Sequence, residues 1–271
     1  MFGRTSRNVV LRFRRPRIAA VVVLTAGALS VAASPASADV TSVKGGAFGE
    51  SVNVTPLGLL NVTSGPIPTV TLPAGGGGPF TDSLASVCVP TTTCALLKTG
   101  ILNVSTQGTL GASGGSSSSA SVANVGALAG TPGVLTATAV SSKCSVGPNS
   151  SSGSSTIVGA TFLGQPLDVN PAPNTTINLP GVATLILNEQ IPTGGPGDYS
   201  LTVNAIHLKL GPVLGSGDII IAQSRCGEAG PDVTIPFAPI GIIGTTAVLG
   251  VVLLRIQRRR PDADDTPAIT S

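Results

Sequence analysis

The run that decides the fold is Ser200-Leu-Thr-Val-Asn-Ala-Ile-His-Leu-Lys-Leu210, in which apolar and polar side chains trade places along the chain. A period of two marks a β-strand, because successive side chains leave an extended backbone on opposite sides. Strict alternation puts Leu201, Val203, Ala205, His207 and Lys209 on one face, and Thr202, Asn204, Ile206, Leu208 and Leu210 on the other. Both faces are then partly apolar, as expected of a strand covered on both sides near its end. Shorter runs repeat the pattern at Ser51-Val-Asn-Val-Thr55, Thr69-Val-Thr-Leu72 and Asn174-Thr-Thr-Ile-Asn-Leu179. Gly and Pro punctuate them every 8 to 12 residues or so, the rhythm of all-β domains. The reading is about ten to twelve strands with almost no helix. They are expected to form an all-β, antiparallel β-sandwich, with a β-solenoid or roll as the alternative. The irregular spacing of the glycine turns favours the sandwich.

Small side chains dominate these runs. The 271 residues include 35 Gly and 22 Pro but no Trp, one Tyr and one His, and 10% are charged. A core of Ala, Val and Thr buries less area than an aromatic one, at about 25 cal/mol per Å². Backbone ladders and covalent staples are expected to compensate. Ala74–Pro79, Gly111–Ser119 and Asn149–Ser155 are low in complexity and read as flexible loops or turns. None is long enough to divide the chain, so residues 39–232 are expected to form one domain.

Charge is partitioned along the sequence. Residues 1–17 hold six Arg and no acid, residues 39–232 hold five Lys/Arg against nine Asp/Glu, and residues 255–271 hold four Arg against three Asp. An acidic middle between basic ends excludes a nucleic-acid binder built on a basic face. It fits a chain processed at a membrane. Arg4 to Arg17 precede an uncharged run from Ile18 to Ala33, and Ala36-Ser37-Ala38 supplies small residues before Asp39. Residues 1–38 therefore read as a secretory signal peptide cleaved after Ala38.

At the other end, residues 235–254 carry no charge and are long enough, at about 30 Å as a helix, to cross a bilayer. Arg255, Arg258, Arg259 and Arg260 follow as a stop-transfer signal that keeps residues 255–271 cytoplasmic. Thr234-Ile-Pro-Phe-Ala-Pro239 is not a sortase motif, and Asp39 stands where a lipidated protein needs Cys.

Cys88, Cys94, Cys144 and Cys226 all lie in the exported region. An even number in a secreted chain favours disulfides, and four cysteines allow three pairings. Cys88 with Cys94 closes a short loop over Val89-Pro-Thr-Thr-Thr93, which leaves Cys144 and Cys226 to tie distant strands. Zinc needs closer cysteine pairs or more histidine, and no metal is expected. His207 is the sole imidazole, so any acid–base scheme must use it. A strand histidine is more often a structural hydrogen-bonder than a base. Glu189 and His207 are the candidate ligand-binding pair, with Asp198 and Asp218 beside glycines as weaker calcium candidates. No cofactor and no catalysis are expected.

Val70-Thr-Leu-Pro-Ala-Gly-Gly-Gly-Gly-Pro79, Ala120-Ser-Val-Ala-Asn-Val125, Asn170-Pro-Ala-Pro-Asn-Thr-Thr-Ile177, Leu187-Asn-Glu-Gln190 and Leu201-Thr-Val-Asn-Ala-Ile-His207 occur in that order. Over roughly residues 45–226 the chain resembles the choice-of-anchor P proteins, exported proteins of actinobacteria that share an ectodomain and differ in their attachment tails. The resemblance implies an extracellular face on a Gram-positive envelope, and brings no activity or site residues. The expectation is a single-pass, membrane-anchored surface protein with a structural or adhesive role. It would act through self-association or an envelope component. The alternative is an extracellular module that binds a ligand, glycan or ion.

Overall fold

The computed structural model describes residues 39–57, 60–128, 134–148, 150–195 and 197–230. The expected signal peptide, membrane helix and cytoplasmic tail, with Arg255, Arg258, Arg259 and Arg260, lie outside these residues. In chain order the strands begin with β1 (Ser42–Pro56), β2 (Val62–Thr71), β3 (Gly77–Leu84), β4 (Val87–Val89) and β5 (Leu97–Thr99). Next come β6 (Leu102–Thr109), β7 (Gly115–Ala127), β8 (Leu135–Gly147), β9 (Ser150–Val158) and β10 (Thr161–Phe162). The last are β11 (Gln165–Pro166), β12 (Thr175–Leu179), β13 (Ala183–Thr193), β14 (Ser200–Leu210) and β15 (Gly215–Ala229). These exceed the expected number because β4, β5, β10 and β11 span only two or three residues, too few to show a period.

Six strands form one sheet in the order β12-β13-β14-β15-β1-β2. The other nine build a sheet around the long β7 and β8. Strand β7 pairs with β6 and then β5, while β8 pairs with β9 and then β10. Strands β3, β4 and β11 flank β6, β5 and β10. Every ladder among the described residues is antiparallel, and neither sheet closes. Strand β1 lies beside β15, from Ser42 opposite Ala229 to Pro56 opposite Gly215. The described chain therefore starts and stops at one end of the sheets, called here the near end.

The sheets share a core. Toward the far end, Leu185, Ile206, Ile219 and Ile221 of one sheet belong to the same buried cluster as Leu97, Leu102, Leu135 and Ile157 of the other. Toward the near end the apolar clusters are smaller, Val146, Leu201 and Val203 in one and Val40, Val43 and Leu72 in another, and buried serines stand among them. The disulfide Cys144–Cys226 joins β8 to β15 there, with Cα atoms 5.9 Å apart. Ser116 Oγ donates to the Gly227 carbonyl and accepts from its N–H, each at 2.8 Å, and Ser118 Oγ donates to the Arg225 carbonyl at 2.8 Å. A Cβ on Gly153 would meet Val203 at 2.5 Å, so β9 approaches β14 closely only because that position is glycine.

Two expectations are corrected here. Much of the low-complexity sequence is strand, since Gly77–Pro79 open β3, Gly115–Ser119 open β7 and Ser150–Ser155 open β9. Serine tolerates the interior because Ser116 and Ser118 find partners on the backbone of β15. Strict alternation in β14 also fails. Leu201, Val203, Ala205, Ile206 and Leu208 are all buried in the apolar core, while Thr202, Asn204, His207 and Lys209 lie on the opposite face. The strand changes phase at Ala205, and its two partly apolar faces do not come from being covered on both sides. Asn188 on β13 and Ala222 on β15, which flank Ala205 in register, adopt left-handed backbone with φ of 49° and 55°. Gly49 continues the line onto β1, where a Cβ would meet Leu102 at 2.6 Å.

Candidate functional site

Across that phase change, the outer face of the six-stranded sheet carries a chain of polar side chains. Strand β13 supplies Glu189, β14 supplies Asn204 and His207, and β15 supplies Asp218 and Gln223. Register aligns Glu189, Asn204 and Gln223 in one row, with His207 on the next row toward the far end and Asp218 beyond it. His207 Nδ1 lies 2.7 Å from Glu189 Oε2, and Nε2 lies 2.9 Å from Asp218 Oδ1. Only a ring with both N–H groups can donate to both carboxylates at once. Asn204 Nδ2 also donates to Glu189 Oε2 at 2.6 Å, and Gln223 Nε2 donates to Asn204 Oδ1 at 2.7 Å.

Glu189 and His207, paired as candidates from the sequence, are thus in direct contact. Asp218 joins them, but Asp198 does not, being 2.7 Å from Lys44 instead. The side chains of His207 and Glu189 are 11% and 13% exposed, against 50% for Asp218. The polar groups of this cluster are largely spent on one another. The two carboxylates approach opposite nitrogens of one ring, so the ring separates them. Among the described residues, no group of three His, Cys, Asp or Glu is placed to hold a metal ion. The cluster ties three strands together.

The cysteines pair as Cys88–Cys94 and Cys144–Cys226, and no described cysteine is free. Cys88–Cys94 pins the far-end loop between β4 and β5, with Cα atoms 4.6 Å apart.

Two acids are buried. Glu50 on β1 has no exposed surface; Ser64 Oγ donates to its Oε1 at 2.8 Å, while its Oε2 has no partner. Burial pushes its carboxyl above the ordinary value of 4.5, against a smaller opposing effect of the Ser64 hydrogen bond. Glu228 on β15 is 2% exposed, and burial followed by the charge of Asp198 pushes it the same way.

The outer face of the other sheet is a grid. Register aligns Asn103, Ser121, Ser141 and Thr156 in one row across β6, β7, β8 and β9. Ser105, Ser119, Lys143 and Ser154 form the next row, and Gln107, Ser117, Ser145 and Ser152 the third. Eight of these twelve residues are serine and one is charged. Among the described residues none of the eight hydroxyls has a hydrogen-bond partner in the chain; of the inward-facing serines Ser116, Ser118 and Ser155 have one and Ser142 has none. A shallow trough of about 500 Å³ runs over the two lower rows. Sequence reasoning missed this face because its serine runs read as loops. The alternation of Ser141, Lys143 and Ser145 with the buried Ser142, Cys144 and Val146 was the signal for it.

No family model, curated protein or solved structure matches the chain.

Proposed function

We propose that the protein is exported and held at the cell surface by residues 235–254, and that its β-sandwich has a structural or adhesive role without catalysis. The observation that carries this reading is the Cys144–Cys226 disulfide, which joins the two sheets across 82 residues of sequence. Such a bond persists in an oxidising compartment, as outside the cell. The charge partition of the sequence and its resemblance to choice-of-anchor P proteins support the same location. The near end, where β15 stops at Ala229, leads toward the proposed anchor, so the far end would face outward.

Against a hydrolase, both nitrogens of the sole imidazole are taken by carboxylates, which leaves neither to activate a hydroxyl. Protease treatment of intact cells tests the reading: cleavage of the β domain with protection of the C-terminal tail is the expected result. Resistance of the whole chain until the cells are lysed would overturn it.

A further inference from the structure

We infer that the serine grid on the outer face of β6–β9 is a docking surface for a neutral, polyhydroxylated polymer, a glycan chain lying across the strands; this rests on the surface location proposed above. A solvated protein surface ordinarily carries charge at about a quarter to a third of its positions. Here twelve aligned positions hold one charge, Lys143, and no acid. Eight serine hydroxyls, each able to donate and to accept, have no partner among the described residues. Their short side chains leave the face low enough for a polymer to approach the trough over Ser105, Gln107, Ser117, Ser119, Ser145 and Ser152.

The chemistry of the grid selects among occupants. A nucleic acid or other polyanion needs several cations, and the grid has one. A lipid surface needs exposed apolar side chains, and the grid has none. Protein interfaces draw their energy from Trp, Tyr and Arg, all absent from these twelve positions. A polymer of hydroxyl groups matches a field of hydroxyls. With no aromatic ring to stack on, each contact is weak, and retention depends on many contacts along one chain.

The test is retardation of the purified full chain in native gels cast with dextran, mannan or galactan, alongside dextran sulfate. Retardation by at least one neutral polymer is expected, with apparent affinity falling about tenfold or more in the Ser119→Leu/Ser145→Leu variant. Thr184→Leu, on the outer face of the other sheet, should leave it unchanged. If the leucine variant does not fold, the Ser117→Ala/Ser119→Ala/Ser145→Ala variant makes the same comparison. Three results would overturn the inference: no retardation by any neutral polymer, retardation that the grid variants do not weaken, or retardation by dextran sulfate alone that Lys143→Gln abolishes. Concentration-dependent dimers broken by the grid variants, without polymer binding, would assign the face to a second copy and equally overturn it. Cleavage of the domain on intact cells alongside any of these results would leave the surface location standing.

Discussion

Glu50 has no exposed surface, one oxygen bonded to Ser64 and the other bonded to nothing. Burial favours its neutral form, so the folded chain binds this proton more tightly than the unfolded chain, whose carboxyl titrates near 4.5. Its contribution to stability is complete below that value and is lost as pH rises through the raised one. Glu228 acts in the same direction. The melting temperature should therefore fall between about pH 5 and about pH 8. Glu50→Gln should stabilise at the higher pH by on the order of 1 kcal/mol and lessen the pH slope. Thermal melts of both proteins across that range check this, and an unchanged slope would contradict it. The sequence offered no sign of Glu50, because a lone Glu beside Gly49 looks like any surface turn. His207 was legible as a candidate only because it is the one imidazole in the chain.

At the scale of elements, β13, β14 and β15 are joined by hydrogen bonds through Glu189, Asn204, His207, Asp218 and Gln223. Removing the ring takes one of two donors from the mostly buried Glu189 carboxylate and leaves it Asn204 alone. His207→Leu should destabilise by about 1–3 kcal/mol, and Glu189→Gln added to it should recover part of the loss. Urea unfolding of the two single variants and the double variant measures the coupling, and strictly additive losses would contradict the contact. The strands themselves were legible from their period, whereas the meeting of His207 with Glu189 and Asp218 was not. It depends on the phase change at Ala205, beside left-handed residues on the neighbouring strands; its mark in the sequence, apolar residues passing from one face at Ala205 to the other at Ile206, reads equally as a strand covered on both sides. The serine runs were misread for a related reason. Low complexity resembles a linker until the register shows one hydroxyl facing inward to the backbone of β15 and the next facing out.

For the whole molecule, the account joins two covalently stapled sheets to a location outside the cell. By loop entropy, Cys144–Cys226 should contribute roughly 4.5 kcal/mol and Cys88–Cys94 roughly 2.4. Replacing the first pair by alanine should lower the melting temperature by roughly 10 °C or more, and replacing the second by about half as much. A larger effect from the shorter loop would contradict the role given to the bridge between sheets. Export, the anchor and the oxidised core come together in the intact mass of the protein extracted from its own membrane, measured before and after reduction. The account predicts a chain running from Asp39 to Ser271 that gains four hydrogens on reduction. A chain that still begins at Met1 and gains no mass on reduction would contradict it.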